Sequence, residues 1–262
     1  MIAEIHNKIS RSGSNLSDRL EDQLTGDFFG AIRYLPFQYG LKPVLEAVHF
    51  HDTARDSASC WEKLLDSIRE YDYKVEFWFR HEEGEIDLIV EHPDVVIGIE
   101  VKYYSGLSSD AEDPEEMVTP EESCHQLARY SRLLEDIRNG RPAYLIFLAP
   151  FDIQFSVEMN MRERSLISLG ITLGFLAWEQ VLEQLQSIEI SSLDIGQQII
   201  IRDLTNLLLR KGFERFKGFL SGIQHISIHE NAYSFKGKSH AQLTINWPEN
   251  VSVQEGNYVF NK

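Results

Sequence analysis

The segment EIDLIVEHPDVVIGIEVK, residues 85–102, contains the pattern that decides the fold. Two stretches rich in isoleucine and valine flank Pro93 and are typical of β-strands. Pro93 suits the second position of a type I turn, around which four-residue hairpin loops are commonly built. A two-residue loop would require a positive φ at this residue, which proline cannot adopt. The segment therefore predicts an antiparallel hairpin in which Glu91 lies opposite Val96.

This register places the charged residues of the hairpin on one face of the sheet. Counting back from the turn, Asp87 lies opposite Glu100 and Glu85 opposite Lys102, with Cβ atoms about 4.5–5.5 Å apart in each pair. Glu100 and Lys102 share that face because side chains alternate along a strand. A slip of one residue would set these charges against apolar side chains, so the hydrophobic pattern supports the register. The side chains predicted to point the other way, into the core, are Ile86, Leu88, Ile99 and Val101.

The acidic pair Asp87 and Glu100 indicates a metal site. Two carboxylates at that separation repel each other unless a cation lies between them, and their hard oxygen ligands favour Mg²⁺ or Mn²⁺. A metal there can activate a water and neutralise charge in the transition state. Lys102 can orient or help deprotonate that water, or stabilise developing charge. The alternative is structural: a ladder of cross-strand salt bridges on a solvent-facing sheet.

Asp87, twelve intervening residues and then Glu100-Val101-Lys102 resemble the motif of the PD-(D/E)XK nuclease superfamily. The resemblance implies a restriction-endonuclease-like fold, a catalytic metal bound by Asp87 and Glu100, and a Lys102 that serves the hydrolytic water. The preceding Gly84-Glu85-Ile86 looks like the common lead-in to this motif, with Ile86 in place of the proline of the family name. The resemblance covers roughly residues 15–150.

Two flanking features extend the resemblance. Gln126 and Tyr130 form Q-x-x-x-Y on the helix predicted after Lys102, and residues four apart share one helical face. This pair is similar to the motif of RecB-type members, in which it lines the active site and supports the substrate or the lysine. Glu21, on the predicted N-terminal helix, stands where many family members carry an acid that completes the metal site. The alternative for Glu21 is an exposed helix carboxylate.

The rest of the chain predicts an α/β protein with a mixed central sheet flanked by helices, because strands and helices alternate. The hairpin is antiparallel, and the later strands are reached through helical crossovers. We predict a nuclease-like core, residues 1–190, and a C-terminal appendage, residues 191–262, with a helix and small β pieces. The predicted helices cover 14–30, 58–71, 122–138, 178–186 and 194–211, and the predicted strands cover 74–80, 85–91, 95–103, 143–148, 171–177, 226–229 and 242–247.

The charge of the chain is strongly acidic. Its 262 residues have a formal net charge of −16, which opposes a phosphate backbone at long range. Part of the imbalance is local, since the segment 110–122 holds seven acidic residues and no basic residue, and is typical of a solvated loop. Charge therefore neither supports nor excludes a nucleic-acid substrate.

Cysteine content and hydropathy favour a cytoplasmic protein. Cys60 and Cys124 are too few for a disulfide framework, which favours reduced cysteines. No stretch reaches the roughly 18–20 apolar residues that a membrane span needs. The N-terminus has no basic segment followed by an apolar run, so we predict no signal peptide and no membrane partner.

Two further groups of residues are weaker candidates for a functional role. Three histidines near the motif have no metal-ligand spacing to another histidine or cysteine, which favours surface or helix-edge positions: His81, His92 and His125. A C-terminal group of aromatic and basic residues favours helical core packing over contact with nucleic acid: Phe213, Phe216 and Phe219, interleaved with Arg215 and Lys217.

These features favour hydrolysis of a nucleic-acid phosphodiester with Mg²⁺ or Mn²⁺. The resemblance alone favours DNA over RNA as the partner, and defence against foreign DNA is a role in which such stand-alone nucleases are often found. The alternative is a binding or assembly module of the same fold, either catalytically silent or activated by a partner. The acidic charge and the missing recognition domain motivate that alternative. A homodimer, a partner protein and the end preference of cleavage are left open.

Overall fold

The computed structural model describes residues 16–50, 55–104, 119–162 and 164–215, together with Ile5 and Leu107. The strand-like pieces predicted at 226–229 and 242–247 lie outside these residues. So does most of the acidic segment 110–122.

Strands in this part of the chain form one mixed sheet. They are β1 (His49–Phe50), β2 (Lys74–His81), β3 (Gly84–His92), β4 (Val95–Val101), β5 (Ala143–Ala149) and β6 (Ile171–Ala177). Their spatial order is β1-β6-β5-β4-β3-β2. Strands β2, β3 and β4 are antiparallel, β4, β5 and β6 are parallel, and β1 runs antiparallel to β6. The predicted mixed sheet is confirmed.

Helices cover both faces of this sheet. They are α1 (Leu16–Ile32), α2 (Leu41–Glu46), α3 (Arg55–Ser67), α4 (Gln126–Ile137), α5 (Phe151–Arg162), α6 (Trp178–Ser187) and α7 (Ile195–Lys211). Helix α4 connects β4 to β5, and helix α5 connects β5 to β6. Both crossovers are right-handed and move along the sheet in the same direction, so both helices cover the same face of the sheet. The other helices cover the second face. We call these the crossover face and the opposite face. This architecture agrees with the predicted restriction-endonuclease-like α/β core.

The central strands are buried on both sides. Along β5, alternate residues pack into the two cores: Tyr144, Ile146 and Leu148 on the opposite face, and Ala143, Leu145 and Phe147 on the crossover face. Gly98 of β4 lets α4 approach closely, since a Cβ atom there would lie 2.9 Å from Ile86 Cδ1 and 3.0 Å from Leu134 Cδ2. At the central strands β4 and β5, helices on both faces leave no solvent-facing side.

The hairpin of β3 and β4 has the predicted register near its turn. Glu91 pairs with Val96, and the paired stretch extends back to Leu88 and Ile99, where it ends. The predicted pairs of Asp87 with Glu100 and of Glu85 with Lys102 lie beyond this stretch. The register is therefore confirmed from the turn back to Leu88 and Ile99, and the ladder ends where the charged residues begin. Asp87 and Glu100 are nevertheless neighbours, since the charge of Glu100 acts on the pKa of Asp87.

Some elements differ from the prediction. Helix α4 begins at Gln126 and not at residue 122, because the Nδ1 atom of His125 caps it by accepting a hydrogen bond from the Leu127 N–H at 3.3 Å. Helix α3 ends at Ser67, before the predicted residue 71. The elements β1, α2 and α5 were not predicted from the sequence.

Helix α7, assigned from the sequence to the appendage, packs against α1 and α6. Its buried residues, Ile201, Leu204 and Leu208, belong to the core of the opposite face. Because residues 216–262 are not described, the division of the chain at residue 190 stays a prediction. Within the described ranges, no helix combines the length and the apolar character that crossing a membrane requires.

Candidate active site

Asp87 marks the point at which β3 and β4 separate. Its Oδ2 atom accepts a hydrogen bond from the backbone N–H of Val101 at 2.8 Å, so the carboxylate takes a strand donor where the ladder has ended. On the β2 side of β3, Trp78 has a left-handed φ of 48°. It lies between the paired residues Phe77–Leu88 and Phe79–Ile86 and directly opposite Asp87 in sequence order. The alternation of β3 side chains between the two faces of the sheet breaks at Asp87, since Ile86 and Leu88 belong to the cores of different faces.

The break corrects one prediction about the core. Leu88, Ile99 and Val101 lie on the opposite face as expected. Ile86, predicted to point the same way, packs instead on the crossover face with Leu134 of α4. Regular alternation would have given Ile86 and Leu88 one face, so the correction follows from the distortion at Asp87 and Trp78.

Glu100 and Lys102 form a buried ion pair at the end of β4. The Lys102 Nζ atom lies 2.7 Å from Glu100 Oε1 and 3.0 Å from Glu21 Oε1. Glu100 is 2% exposed and Lys102 is 6% exposed. The alternative of a salt-bridge ladder on a solvent-facing sheet is therefore wrong, since this pair lies in the interior.

Glu21 reaches the cluster from helix α1. One of its carboxylate oxygens accepts from Lys102 Nζ, and the other accepts from the backbone N–H of Tyr103 at 3.1 Å. The Glu21 side chain is 13% exposed, so the alternative of an exposed helix carboxylate is wrong. Through these two bonds, α1 fixes both the ammonium of Lys102 and the backbone that follows it.

Gln126 and Tyr130 connect the first turns of α4 to both strands of the hairpin. Gln126 Nε2 donates to Glu100 Oε1 at 2.7 Å and to the Tyr130 hydroxyl at 3.0 Å. The Tyr130 hydroxyl in turn donates to the backbone carbonyl of Glu85 at 2.6 Å. Gly84, with a φ of 139°, lies under the Tyr130 ring, and a Cβ atom there would be 3.3 Å from Cε1. The Q-x-x-x-Y pair thus holds the Glu100 carboxylate against β3.

The backbone of Lys102 is also fixed. Its N–H donates to the carbonyl of Leu148 in β5 at 2.7 Å, and its carbonyl accepts from Trp178 Nε1 at 3.0 Å. Phe213 stacks on the Trp178 ring with centroids 5.6 Å apart and is buried. Core packing is therefore confirmed for Phe213, whereas Phe216, Lys217 and Phe219 lie outside the described residues.

The pKa values of the cluster reflect its concentration of negative charge. Burial and the neighbouring Glu100 carboxylate raise the pKa of Asp87 well above its usual range. Burial also raises the pKa of Glu100, although the positive charge of Lys102 opposes this effect. Burial acts to lower the pKa of Lys102, but Glu100, Asp87 and Glu21 outweigh it, and its pKa is raised. Lys102 is consequently protonated at neutral pH, and the acids resist ionising together.

The donor set fits a hard divalent cation. Glu100 Oε2 is buried and, among the described residues, has no hydrogen-bond partner, so one carboxylate oxygen beside Asp87 is left for a ligand. Mg²⁺ is commonly held by one or two carboxylates, with waters and substrate phosphates completing its coordination. Asp87 and Glu100 meet that requirement. In this part of the chain their oxygens do not gather within 4.8 Å of those of Glu21 as a three-acid cluster.

The remaining predicted residues lie elsewhere. The side chain of Glu85 accepts from Arg80 Nε at 2.8 Å, on the neighbouring strand β2, and the predicted pairing with Lys102 is wrong. His92, expected at the surface, is 4% exposed, and its Nδ1 accepts from the N–H of Asp94 in the hairpin turn. His125 is a helix-edge histidine as expected, although it is buried.

His81 has acidic neighbours that the sequence spacing did not reveal. Its ring lies with Glu82 and Asp136 so that one ligand atom of each falls within 4.8 Å of the others. However, the Glu83 N–H donates to His81 Nδ1 at 3.4 Å, which places the proton of a neutral ring on Nε2, 3.8 Å from Asp136 Oδ2. A neutral ring in this arrangement directs its Nε2–H towards the Asp136 carboxylate, whereas a metal would need the Nε2 lone pair.

Comparison with known proteins gives one family match. Residues 60–149 match the nuclease-related domain family, NERD, which is consistent with the PD-(D/E)XK nuclease superfamily. The matched range contains the hairpin and α4, and hence five of the six residues of the cluster: Asp87, Glu100, Lys102, Gln126 and Tyr130. Neither the curated proteins nor the solved structures include a match to the chain. The central part of this protein is therefore similar to nuclease-related domains.

Proposed function

We propose that this protein is a metal-dependent nuclease that hydrolyses phosphodiester bonds of nucleic acid with Mg²⁺ or Mn²⁺. The observation that carries the proposal is the buried acidic pair, in which Asp87 has a raised pKa and Glu100 Oε2 lacks a hydrogen-bond partner among the described residues. Burying two carboxylates beside one ammonium is costly unless a further cation joins them. The nuclease-related match of residues 60–149 supports the same reading.

Asp87 and Glu100 would hold the metal, with Glu21 as an added ligand predicted from the resemblance. The metal, when bound, supplies Lewis acidity and lowers the pKa of a bound water. Asp87 is oriented for this role by the Val101 N–H, and Glu100 by the Gln126 amide. Both carboxylates are thus held in place before any ligand arrives.

Lys102 acts as a positively charged hydrogen-bond donor in this proposal. Because its pKa is raised, it stays protonated at neutral pH and is a poor general base. A fixed ammonium beside Glu100 can orient the attacking water or stabilise the charge that develops on the phosphoryl oxygens. Glu21 keeps the ammonium in position through its 3.0 Å contact with Nζ.

A second candidate is the catalytically silent or partner-activated module of the same fold. One observation favours it. Glu100 Oε1 already accepts hydrogen bonds from Lys102 and Gln126, so the ammonium of Lys102 supplies part of the positive charge that a metal would otherwise bring. A calorimetric titration of Mn²⁺ into the protein separates the two candidates. The nuclease predicts saturable heat that Asp87→Ala abolishes, whereas the silent module predicts no heat from either protein.

We include two further points that come from the resemblance alone: DNA is the preferred substrate, and the role is defence against foreign DNA. The preference would be measured by comparing the rates at which one purified preparation cleaves DNA and RNA. A cytoplasmic location remains part of the proposal and agrees with Cys60 and Cys124, which are exposed and form no disulfide bond with each other.

A further inference from the structure

Exposed aromatic rings and fixed cations lie along the sheet edge that carries the candidate active site. We call Tyr104, Phe151, Phe155, Lys211 and Arg215 the aromatic strip. Tyr104 is 62% exposed, Phe155 is 53% exposed and Phe151 is 39% exposed. The Phe151 and Phe155 rings are stacked and so form contiguous exposed apolar surface, which indicates a binding surface.

The strip is adjacent to the cluster in the fold. Tyr104 follows Lys102 by two residues. Phe151 follows Leu148 by three residues, or about 10 Å of chain at most, and the Leu148 carbonyl accepts from the Lys102 N–H. Because β4 and β5 are parallel, their carboxyl ends meet at one edge. Helix α5, which begins at Phe151, covers the crossover face, on which α4 meets Glu100.

Helix α5 turns its aromatic residues outward. Its buried positions are occupied by Gln154, Val157, Glu158 and Met161, whereas Phe151 and Phe155 are exposed. The two rings are stacked at an angle of 20° with centroids 6.1 Å apart. Core packing does not account for this outward stripe, since the helix already buries another face.

Cations of the strip are held against aromatic rings. The guanidinium of Arg215 lies 4.4 Å from the centroid of Phe151, and Lys211 Nζ lies 4.7 Å from the centroid of Tyr103. Tyr103 in turn contacts Tyr104, with ring centroids 3.9 Å apart and a hydroxyl–hydroxyl bond of 2.9 Å. The strip therefore combines flat apolar surface with positive charge, in a chain whose net charge is −16.

We propose that the aromatic strip binds single-stranded nucleic acid and that single strands are the substrate class of this site. Bases of a single strand stack on exposed rings, while Lys and Arg meet the phosphates between them. Paired bases of a duplex cannot offer their flat faces to Tyr104 and Phe155. The inference rests on the proposed nuclease function and names its substrate.

We expect the salt dependence of binding to come from the two cations of the strip, Lys211 and Arg215, which have acidic residues close by. Asp152 and Glu214 are exposed nearby in sequence, and Glu179 Oε2 accepts from the Phe151 N–H at 3.0 Å. Two cations that contact one phosphate each give a slope of log K against log salt of roughly −1.4. Stacking supplies the remainder of the affinity and is insensitive to salt.

The experiment measures binding without cleavage. Fluorescence anisotropy of labelled oligothymidylate, free and annealed to oligodeoxyadenylate, is recorded with the full chain in EDTA. We expect the wild type to bind the single strand at least tenfold more tightly than the duplex. Phe155→Leu and Tyr104→Leu keep an apolar side chain but remove the ring, and each weakens single-strand binding by roughly fivefold or more. Phe155→Tyr and Tyr104→Phe retain affinity.

Tyr34→Leu is the matched control, because Tyr34 is 61% exposed and also lies beside an arginine, with Arg33 5.1 Å from its ring centroid. Its affinity should equal that of the wild type. Equal affinity for single strand and duplex, or full binding by both leucine variants, overturns the inference. Neither result affects the proposed nuclease, which fails only if metal-dependent cleavage is absent or survives Glu100→Ala.

Discussion

At the scale of single residues, Lys102 has more negative neighbours than it can neutralise. Glu21, Asp87 and Glu100 surround one ammonium, and all three raise its pKa. Such a cluster is stable only if some acid stays protonated or if a further cation arrives. The same imbalance that makes the metal-free fold costly therefore prepares the site for a divalent ion.

The first prediction concerns Asp87 in the metal-free protein. Its pKa is raised above the ordinary value of 3.8, so the folded state holds a proton that the unfolded chain loses as pH rises. The stability that depends on this proton is full below the unfolded pKa and is lost as pH rises through the folded pKa. Asp87→Asn should therefore raise Tm in EDTA at neutral pH, by roughly 2–4 °C for each kcal/mol gained.

Thermal unfolding from pH 4 to pH 8 measures this effect. The gain of Asp87→Asn over the wild type should grow across that range, while Asp203→Asn, an exposed acid of α7, should show no such growth. Added Mn²⁺ should reverse the order by stabilising the wild type only. A constant difference at every pH would contradict the assignment of the raised pKa to Asp87.

A second prediction tests the Q-x-x-x-Y pair. Tyr130→Phe removes the hydroxyl that links Gln126 to the Glu85 carbonyl. We expect a stability loss of about 1 kcal/mol and a fall in cleavage rate of roughly tenfold to 100-fold, because Glu100 loses its alignment. The control is Tyr73→Phe, since Tyr73 Oη has no hydrogen-bond partner among the described residues. A rate for Tyr130→Phe equal to that of the control would remove Tyr130 from the site.

Much of the site could be predicted at this scale, and the failures have one cause. The turn at Pro93 determines the register, and the register brings Asp87 near Glu100. The prediction from this register failed for Glu85 and Ile86. Where β3 and β4 separate, hydrogen bonds that involve side chains replace the backbone hydrogen bonds between the strands. No alternation rule anticipates that replacement, since the donors come from α4 and from the backbone of β4.

At the scale of elements, helix α5 shows why some of the fold was missed. Its inner face contains Gln154 and Glu158, which satisfy each other through a 2.7 Å hydrogen bond, and Glu158 also accepts from Arg162 and contacts His49 of β1. Polar residues inside and aromatic residues outside invert the expected periodicity. Strand β1 has only two residues and is defined by its pairing with β6, which local sequence does not encode.

A third prediction follows from this polar group. Burial acts to raise the pKa of Glu158, but hydrogen bonds from His49 and Arg162 outweigh it, and the pKa is lowered. A lowered pKa contributes stability above the unfolded value, which is lost as pH falls through the folded value. Glu158→Ala should cost about 1–3 kcal/mol at neutral pH, because Gln154 loses its buried acceptor.

Chemical denaturation at neutral pH and at pH 3 measures this difference. The cost of Glu158→Ala should shrink at the lower pH, whereas Ser156→Ala, on the exposed side of α5, should be nearly neutral at both. An unchanged cost at pH 3 would show that Glu158 stabilises the helix through packing and not through its charge.

At the scale of the whole molecule, the site exists only when distant parts of the chain meet. Glu21 comes from α1, Asp87 and Glu100 from the hairpin, and Gln126 from α4. The resemblance predicted that these parts meet, and the hydrogen bonds among them show how. The net charge of −16 remains unfavourable for a long duplex, which is consistent with a site that takes single strands.

The measurement that tests the central claim most directly is metal-dependent cleavage by the purified full chain. Supercoiled, linear duplex and single-stranded DNA, and single-stranded RNA, are incubated with Mg²⁺, Mn²⁺ or EDTA beside Glu100→Ala and Lys102→Ala. Glu62→Ala and Lys63→Ala, exposed on α3, are the matched controls. We predict cutting that requires the metal, is retained by both controls and falls at least about 100-fold in both site variants. Intact nucleic acid in every lane with folded protein, or equal cutting by the site variants, would contradict the account.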